Sequence, residues 1–99
     1  MQQSLFFESV HEVLDYTIKA LGGYKKVGSA MKPERAADAA AQWLRDCLNS
    51  DKREKLGPDE VLMIARLGRE KGVHAYAQFM AAQLDYAAPV PLTTEDKAD

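Results

Sequence analysis

The chain has 99 residues, 46% hydrophobic and 28% charged, with a formal net charge of −2, enough for one domain with a core of its own. No apolar run approaches the roughly 20 residues that a membrane-spanning helix needs. The opening MQQSLFFESVHEVLDY has neither the basic start nor the unbroken apolar stretch of a secretory signal, so the expected location is cytoplasmic and no membrane partner is expected.

The first expected element is a helix in which Val10, Val13, Leu14, Thr17, Ile18 and Leu21 share one side, extended toward the start by Phe6 and Phe7. Ser4 or Ser9 can cap it, and Ser9 with Glu12 has capping-box spacing. Gly22 and Gly23 end it. A short second helix runs from about Tyr24 to Met31, with Val27 and Met31 facing inward, before Lys32 and Pro33 break the pattern. The third helix ends near Asn49, whose side chain tolerates a left-handed terminal turn. Its start is open: Pro33 is a good first residue and Asp38 a good cap.

Residues Ser50 to Gly57 form a charged connector, and Pro58, Asp59 and Glu60 open a fourth helix. Val61, Leu62, Ile64, Ala65 and Leu67 cover much of its circumference, as in a central helix, before Gly72 stops it. A fifth helix from about Val73 to Asp85 carries two apolar stripes. Val73, Tyr76, Ala77, Met80 and Leu84 are expected to close the core, which leaves Ala75, Phe79, Ala82 and Tyr86 outward as a contact between copies of the chain. The expected fold is therefore all-α, a compact bundle of about five helices over residues 1–86, followed by a flexible acidic C-terminal tail over 87–99.

Charge is unevenly distributed. Residues 19–55 hold nine Lys or Arg against five Asp or Glu, while residues 1–18 and the final thirteen are acidic and residues 56–86 near neutral, so a polyanionic partner is compatible with a negative total. On the third helix Ala40, Trp43, Leu44, Cys47 and Leu48 point one way, and Asp38, Gln42, Arg45 and Asn49 the other. Glutamine can bond an adenine edge and arginine can grip guanine with two parallel bonds. Gln42, Arg45 and Asn49 are therefore the expected base-reading residues.

In a helix-turn-helix the first helix crosses behind the second and needs a small residue at the closest approach. Val27, Gly28 and Met31 meet that need. Lys25, Lys26, Ser29, Lys32 and Arg35 on one side of the reading helix, and Lys52, Arg53 and Lys55 beyond it, are expected to hold phosphates.

Other chemistry finds little support. His11 and Asp15 within HEVLD supply too few ligands for a metal, and His74 has no evident partner. GYKKVGS lacks the lysine of a phosphate loop. Cys47, the single cysteine, sits at helical spacing from Leu44 and Leu48 and is expected as a small buried side chain. Trp43 is expected to pack on the core rather than to stack on a base. No metal, cofactor or enzymatic activity is expected.

The succession LGGYKKVGSAM, then WLRDCLN, then KREKLGPDEVLMIARL resembles the CII-type lysogeny regulators of temperate phages, helix-turn-helix DNA-binding proteins of the lambda-repressor-like class. The most telling pieces are Leu-Arg-x-x-Leu-Asn at Leu44 to Asn49 and Lys-Leu-x-Pro-Asp at Lys55 to Asp59, and the likeness spans roughly residues 11 to 72. The resemblance implies a transcription regulator that binds double-stranded DNA at a promoter or operator as a homo-oligomer, with a contact to the transcription machinery as a further expected partner. It departs from the motif in one respect, because a helix-turn-helix joins its helices by about three or four residues and a start at Asp38 leaves more. The alternative expectation is a helical protein-protein interaction module that does not bind DNA and docks through the fifth helix.

Overall fold

The structure, a computed structural model, describes residues 7–92. Among them lie five helices, α1 (Val10–Ala20), α2 (Tyr24–Met31), α3 (Ala37–Cys47), α4 (Pro58–Glu70) and α5 (Ala75–Gln83), and no strand. The all-α expectation holds. Ser4 and Phe6, and the acidic end of the tail, lie outside the described residues.

α1 starts at Ser9, whose Oγ accepts from the Glu12 amide at 3.2 Å. The reciprocal arm is displaced by one residue, because the Glu12 carboxylate accepts from the Glu8 amide at 3.0 Å. Val13, Leu14, Thr17 and Ile18 are buried, and the Thr17 hydroxyl is satisfied by donating to the Val13 carbonyl at 2.8 Å. Gly22 (φ +114°) and Gly23 (φ +105°) close the helix, and the Gly23 amide reaches back to the Ile18 carbonyl at 2.9 Å, a terminal turn that requires the left-handed region and hence glycine.

Pro33 pushes Lys32 out of helical geometry (φ −129°, ψ 68°). Neither sequence candidate starts α3: Ala36 occupies the cap position in extended conformation, Ala37 is the first residue, and Asp38 sits inside the first turn, where the helix dipole favours its charge. The connection between α2 and α3 is the five residues Lys32–Ala36. At the other end α3 stops at Cys47 with Leu48 as its cap. Asn49 lies beyond the helix and is not left-handed. Its side-chain oxygen instead accepts from the Asp51 amide at 2.9 Å and starts a turn.

α4 opens on Pro58, with the Glu60 carboxylate accepting from the Gly57 amide at 2.9 Å. Only Ile64 and Gly68 on this helix are buried, while Leu62 and Met63 are exposed. The expectation of a central helix is corrected: α4 lies against α1 along one ridge and leaves its other apolar side open. Gly68 permits that approach, since a Cβ there would stand 3.1 Å from Thr17 Cγ2 and 2.9 Å from the Val73 carbonyl oxygen.

The fifth helix corrects the expected stripes. Ala75 and Phe79 are buried against Val13, with Phe7 packed beside them, whereas Ala77 and Leu84 face solvent. The Phe79 ring is the group large enough to fill the gap beside α1, and it meets Phe7 edge to face with centroids 6.4 Å apart. Ala75 and Phe79 are thus unavailable for a contact between copies, and of the expected outward stripe only Ala82 and Tyr86 stay exposed. Beyond Asp85 the chain returns toward α4, where the Arg69 guanidinium donates to the Leu92 carbonyl at 2.7 Å.

The principal core gathers Leu14, Ile18, Val27, Leu44 and Ile64 from four helices. Cys47 is buried beside it. Burial, followed by the negative charges of Glu60, Glu54 and Asp46, pushes its thiol up to about 11, so it stays an unreactive thiol at neutral pH.

Candidate nucleic-acid interface

α2 and α3 are the most extensively packed pair of helices in the described chain. The reason is local. Gly28 is buried against the backbone of α3, and a Cβ at this position would stand 2.7 Å from the Ala40 carbonyl oxygen and 2.8 Å from its carbon. On the α3 side the contact is made by Ala40 and Ala41, both buried. Small residues on both surfaces let the two backbones touch, and Val27 and Leu44 continue the contact into the core.

This packing turns the opposite side of α3 outward. Gln42, Arg45 and Asn49 are all exposed. Gln42 is held by Asp46, whose carboxylate accepts from Gln42 Nε2 at 2.9 Å. The Arg45 guanidinium lies over the Tyr24 ring, 5.5 Å from its centroid. Asp38 and Asp46 share this surface, so it is a mixed donor and acceptor face rather than a purely cationic one.

Basic side chains border the face unevenly. Lys25 and Ser29 follow one line of α2, four residues apart, and Lys32 stands just past its end, where it reaches Trp43 of α3. Lys25 pairs with Asp38 at 3.1 Å, and both partners are largely exposed, so the pair is weak and open to exchange with a phosphate. Lys32 stands 4.8 Å and Arg35 5.7 Å from the Trp43 ring centroid, and Lys32 also pairs with Glu60 at 3.6 Å. Trp43 is half-buried against the core, as expected, and its remaining surface carries these two cations. At the far end of α3, Lys52 and Arg53 are exposed in the turn after Asn49, and Lys55 donates to the Lys52 carbonyl, which fastens that turn.

Lys26 does not join this group. It lies on the other side of α2, over an apolar cleft lined by Leu21, Val27, Ala30 and Leu67, with Glu70 and Lys71 at its rim. The contribution of Tyr24 was not assigned from the sequence, although its spacing from Val27 and Gly28 places it on the side of α2 that meets α3.

No helix among the described residues is long and apolar enough to cross a membrane. No family model matches the chain, and neither a curated protein nor a solved structure is similar to it at a significant level.

Proposed function

We propose that the chain is a sequence-specific, non-enzymatic regulator of transcription of phage or prophage type that binds double-stranded DNA through α3, with α2 and α3 acting as a helix-turn-helix whose connection is lengthened to Lys32–Ala36. One observation carries this reading: the close contact at Gly28 leaves Gln42 and Arg45 on an exposed face of α3, with Asn49 exposed just beyond the helix end, bordered by Lys25, Lys32 and Arg35 on one side and by Lys52 and Arg53 on the other. Phosphate contacts from the border fix the register of the duplex, and the three central side chains read base edges. An operator with paired half-sites would require two copies of the chain. With Ala75 and Phe79 committed to the core, only Ala82 and Tyr86 of the expected α5 stripe are open to such a contact.

Binding-site selection from a random duplex library at near-physiological salt tests this assignment. Arg45→Ala is expected to cost roughly 1 to 3 kcal/mol at one base position and to relax preference there. A selected motif that is the same for wild type and Arg45→Ala would refute the base-reading role.

A second reading has one observation in its favour. Val10, Leu56, Pro58, Val61, Leu62 and Tyr76 line an open apolar groove between α1 and α4, and Leu62 and Met63 add exposed apolar surface along α4. This is the surface that a helical interaction module would use, in place of the α5 stripe expected from the sequence.

A further inference from the structure

The arginine at the centre of the α3 face lacks the carboxylate partner that three nearby lysines have. Lys19, Lys25 and Lys32 each face a carboxylate within ion-pair distance, Asp15 at 3.0 Å, Asp38 at 3.1 Å and Glu60 at 3.6 Å. Arg45 has no ion pair among the described residues, and the nearby Asp46 carboxylate is occupied by Gln42. Arg45 rests instead over the ring of Tyr24, a half-buried residue packed against the principal core. The Tyr24 hydroxyl in turn donates to Asp15 on α1, which also holds Lys19.

The difference matters for recognition. A carboxylate partner would occupy the N–H donors that a guanine edge requires, whereas the face of an aromatic ring attracts the cation and leaves those donors free. We propose that Tyr24 is a positioning residue for Arg45: its ring orients the guanidinium for a base edge, and its hydroxyl bond to Asp15 locks the ring to α1. This rests on the reading of α3 as the DNA-reading helix and adds to it a specificity determinant that touches no base.

The protonation states are consistent with a permanent tether. Burial, and then Asp15 beside it, push the Tyr24 phenol well above its usual value, so it remains a donor throughout the neutral range. Burial pushes Asp15 up, but the bond from Tyr24 and the ion pair with Lys19 outweigh it, and the carboxyl sits below its ordinary value. A long arginine side chain that is already oriented loses less freedom on binding.

The test compares wild type with Tyr24→Phe, Tyr24→Leu and Arg45→Ala on the selected duplex and its single-base variants. It also follows the Arg45 Nε–Hε signal by NMR in the free proteins. Tyr24→Leu is expected to lose roughly 3- to 10-fold of the preference at the base position that depends on Arg45 and nothing at other positions. Its salt dependence should stay unchanged, and the Nε–Hε signal should lose its ring-current shift. Tyr24→Phe keeps the packed ring but not the tether, and should fall between Tyr24→Leu and wild type in both readouts. If Arg45→Ala relaxes that position while Tyr24→Leu leaves it at the wild-type value, the positioning role is overturned and the reading of α3 stands. Should Tyr24→Leu fail to fold, a Tyr24→Phe protein identical to wild type in both readouts overturns the tether. If no duplex is selected, or Arg45→Ala alters no position, the reading of α3 itself fails and the proposal falls with it.

Discussion

Gly28→Ala is expected to lower the melting temperature by roughly 10 °C or more, although alanine is the better helix former. At an exposed helical position the same exchange would stabilise by about 1 kcal/mol. Here the new methyl would stand 2.7 Å from the Ala40 carbonyl oxygen and 3.1 Å from the Ala41 amide nitrogen, and both are backbone atoms that can yield only if α2 and α3 separate. Overpacking of this kind costs about 1 to 3 kcal/mol, and more where backbone must move; a net loss of about 2 kcal/mol in a domain this small corresponds to roughly 8 to 16 °C. Gly57→Ser is a suitable control, because the added Cβ meets only Glu60 Oε1 at 3.8 Å and serine caps a helix well; its melting temperature should be unchanged or slightly raised. Thermal unfolding followed by circular dichroism decides the matter. A higher melting temperature for Gly28→Ala would mean that the two helices do not touch there, and the outward face of α3 would lose its structural basis.

The second large effect concerns salt. If Lys25, Lys32, Arg35, Lys52 and Arg53 each neutralise one phosphate, the logarithm of the binding constant should fall with the logarithm of salt concentration with a slope of about −4.5 per protomer. Between 50 and 200 mM salt this is a loss of roughly 500-fold in affinity. Replacing Lys52 and Arg53 together by alanine should make the slope shallower by about 2, whereas Lys26→Ala should leave it nearly unchanged, because Lys26 stands over the cleft toward α4 and away from α3. Fluorescence anisotropy of a labelled duplex measures all three slopes. The lysine and glutamate pair at Lys32 and Glu60 adds a detail: phosphate binding at Lys32 competes with Glu60, so Glu60→Gln should strengthen binding at low salt, provided that the Gly57 amide keeps its bond.

Much of the fold was legible because the helix ends carry their own punctuation. Ser9 before Glu12, the pair Gly22 and Gly23, Pro33, Pro58 and Gly72 each impose a backbone geometry that few alternatives satisfy, and the boundaries of α1, α2 and α4 fall beside those residues. The start of α3 lacked such a mark. Pro33 and Asp38 both qualify by local preference, and the helix begins between them, at Ala37, behind a cap residue with no capping side chain. The face of α5 was illegible for a different reason. Alanine, tyrosine, phenylalanine and methionine surround AYAQFMAAQ, so periodicity carries no direction, and the inward side is chosen by Val13 and Phe7 more than sixty residues earlier in the chain.

The candidate site divides in the same way. That Gln42 and Arg45 share an exposed face follows from helical spacing alone, as does the role of Gly28 as a contact point, whereas the expected place of Asn49 on that face does not hold, because the helix ends at Cys47. The separation of Lys26 from Lys25 follows from helical spacing too, since adjacent helical residues point about 100° apart. The seat of Arg45 on Tyr24 does not, because it joins residues from two helices whose relative angle no local rule supplies.

The central claim is that the outward face of α3, with the turn that follows it, is the surface that meets DNA. Titrating isotope-labelled protein with a random-sequence duplex at low salt and mapping the perturbed amide and side-chain signals tests it most directly, since phosphate contacts require no known operator. Shifts concentrated at Lys25, Lys32, Arg35, Gln42, Arg45, Lys52 and Arg53 are predicted; shifts confined to the groove around Val10, Leu62 and Tyr76, or no shifts at all, would contradict it.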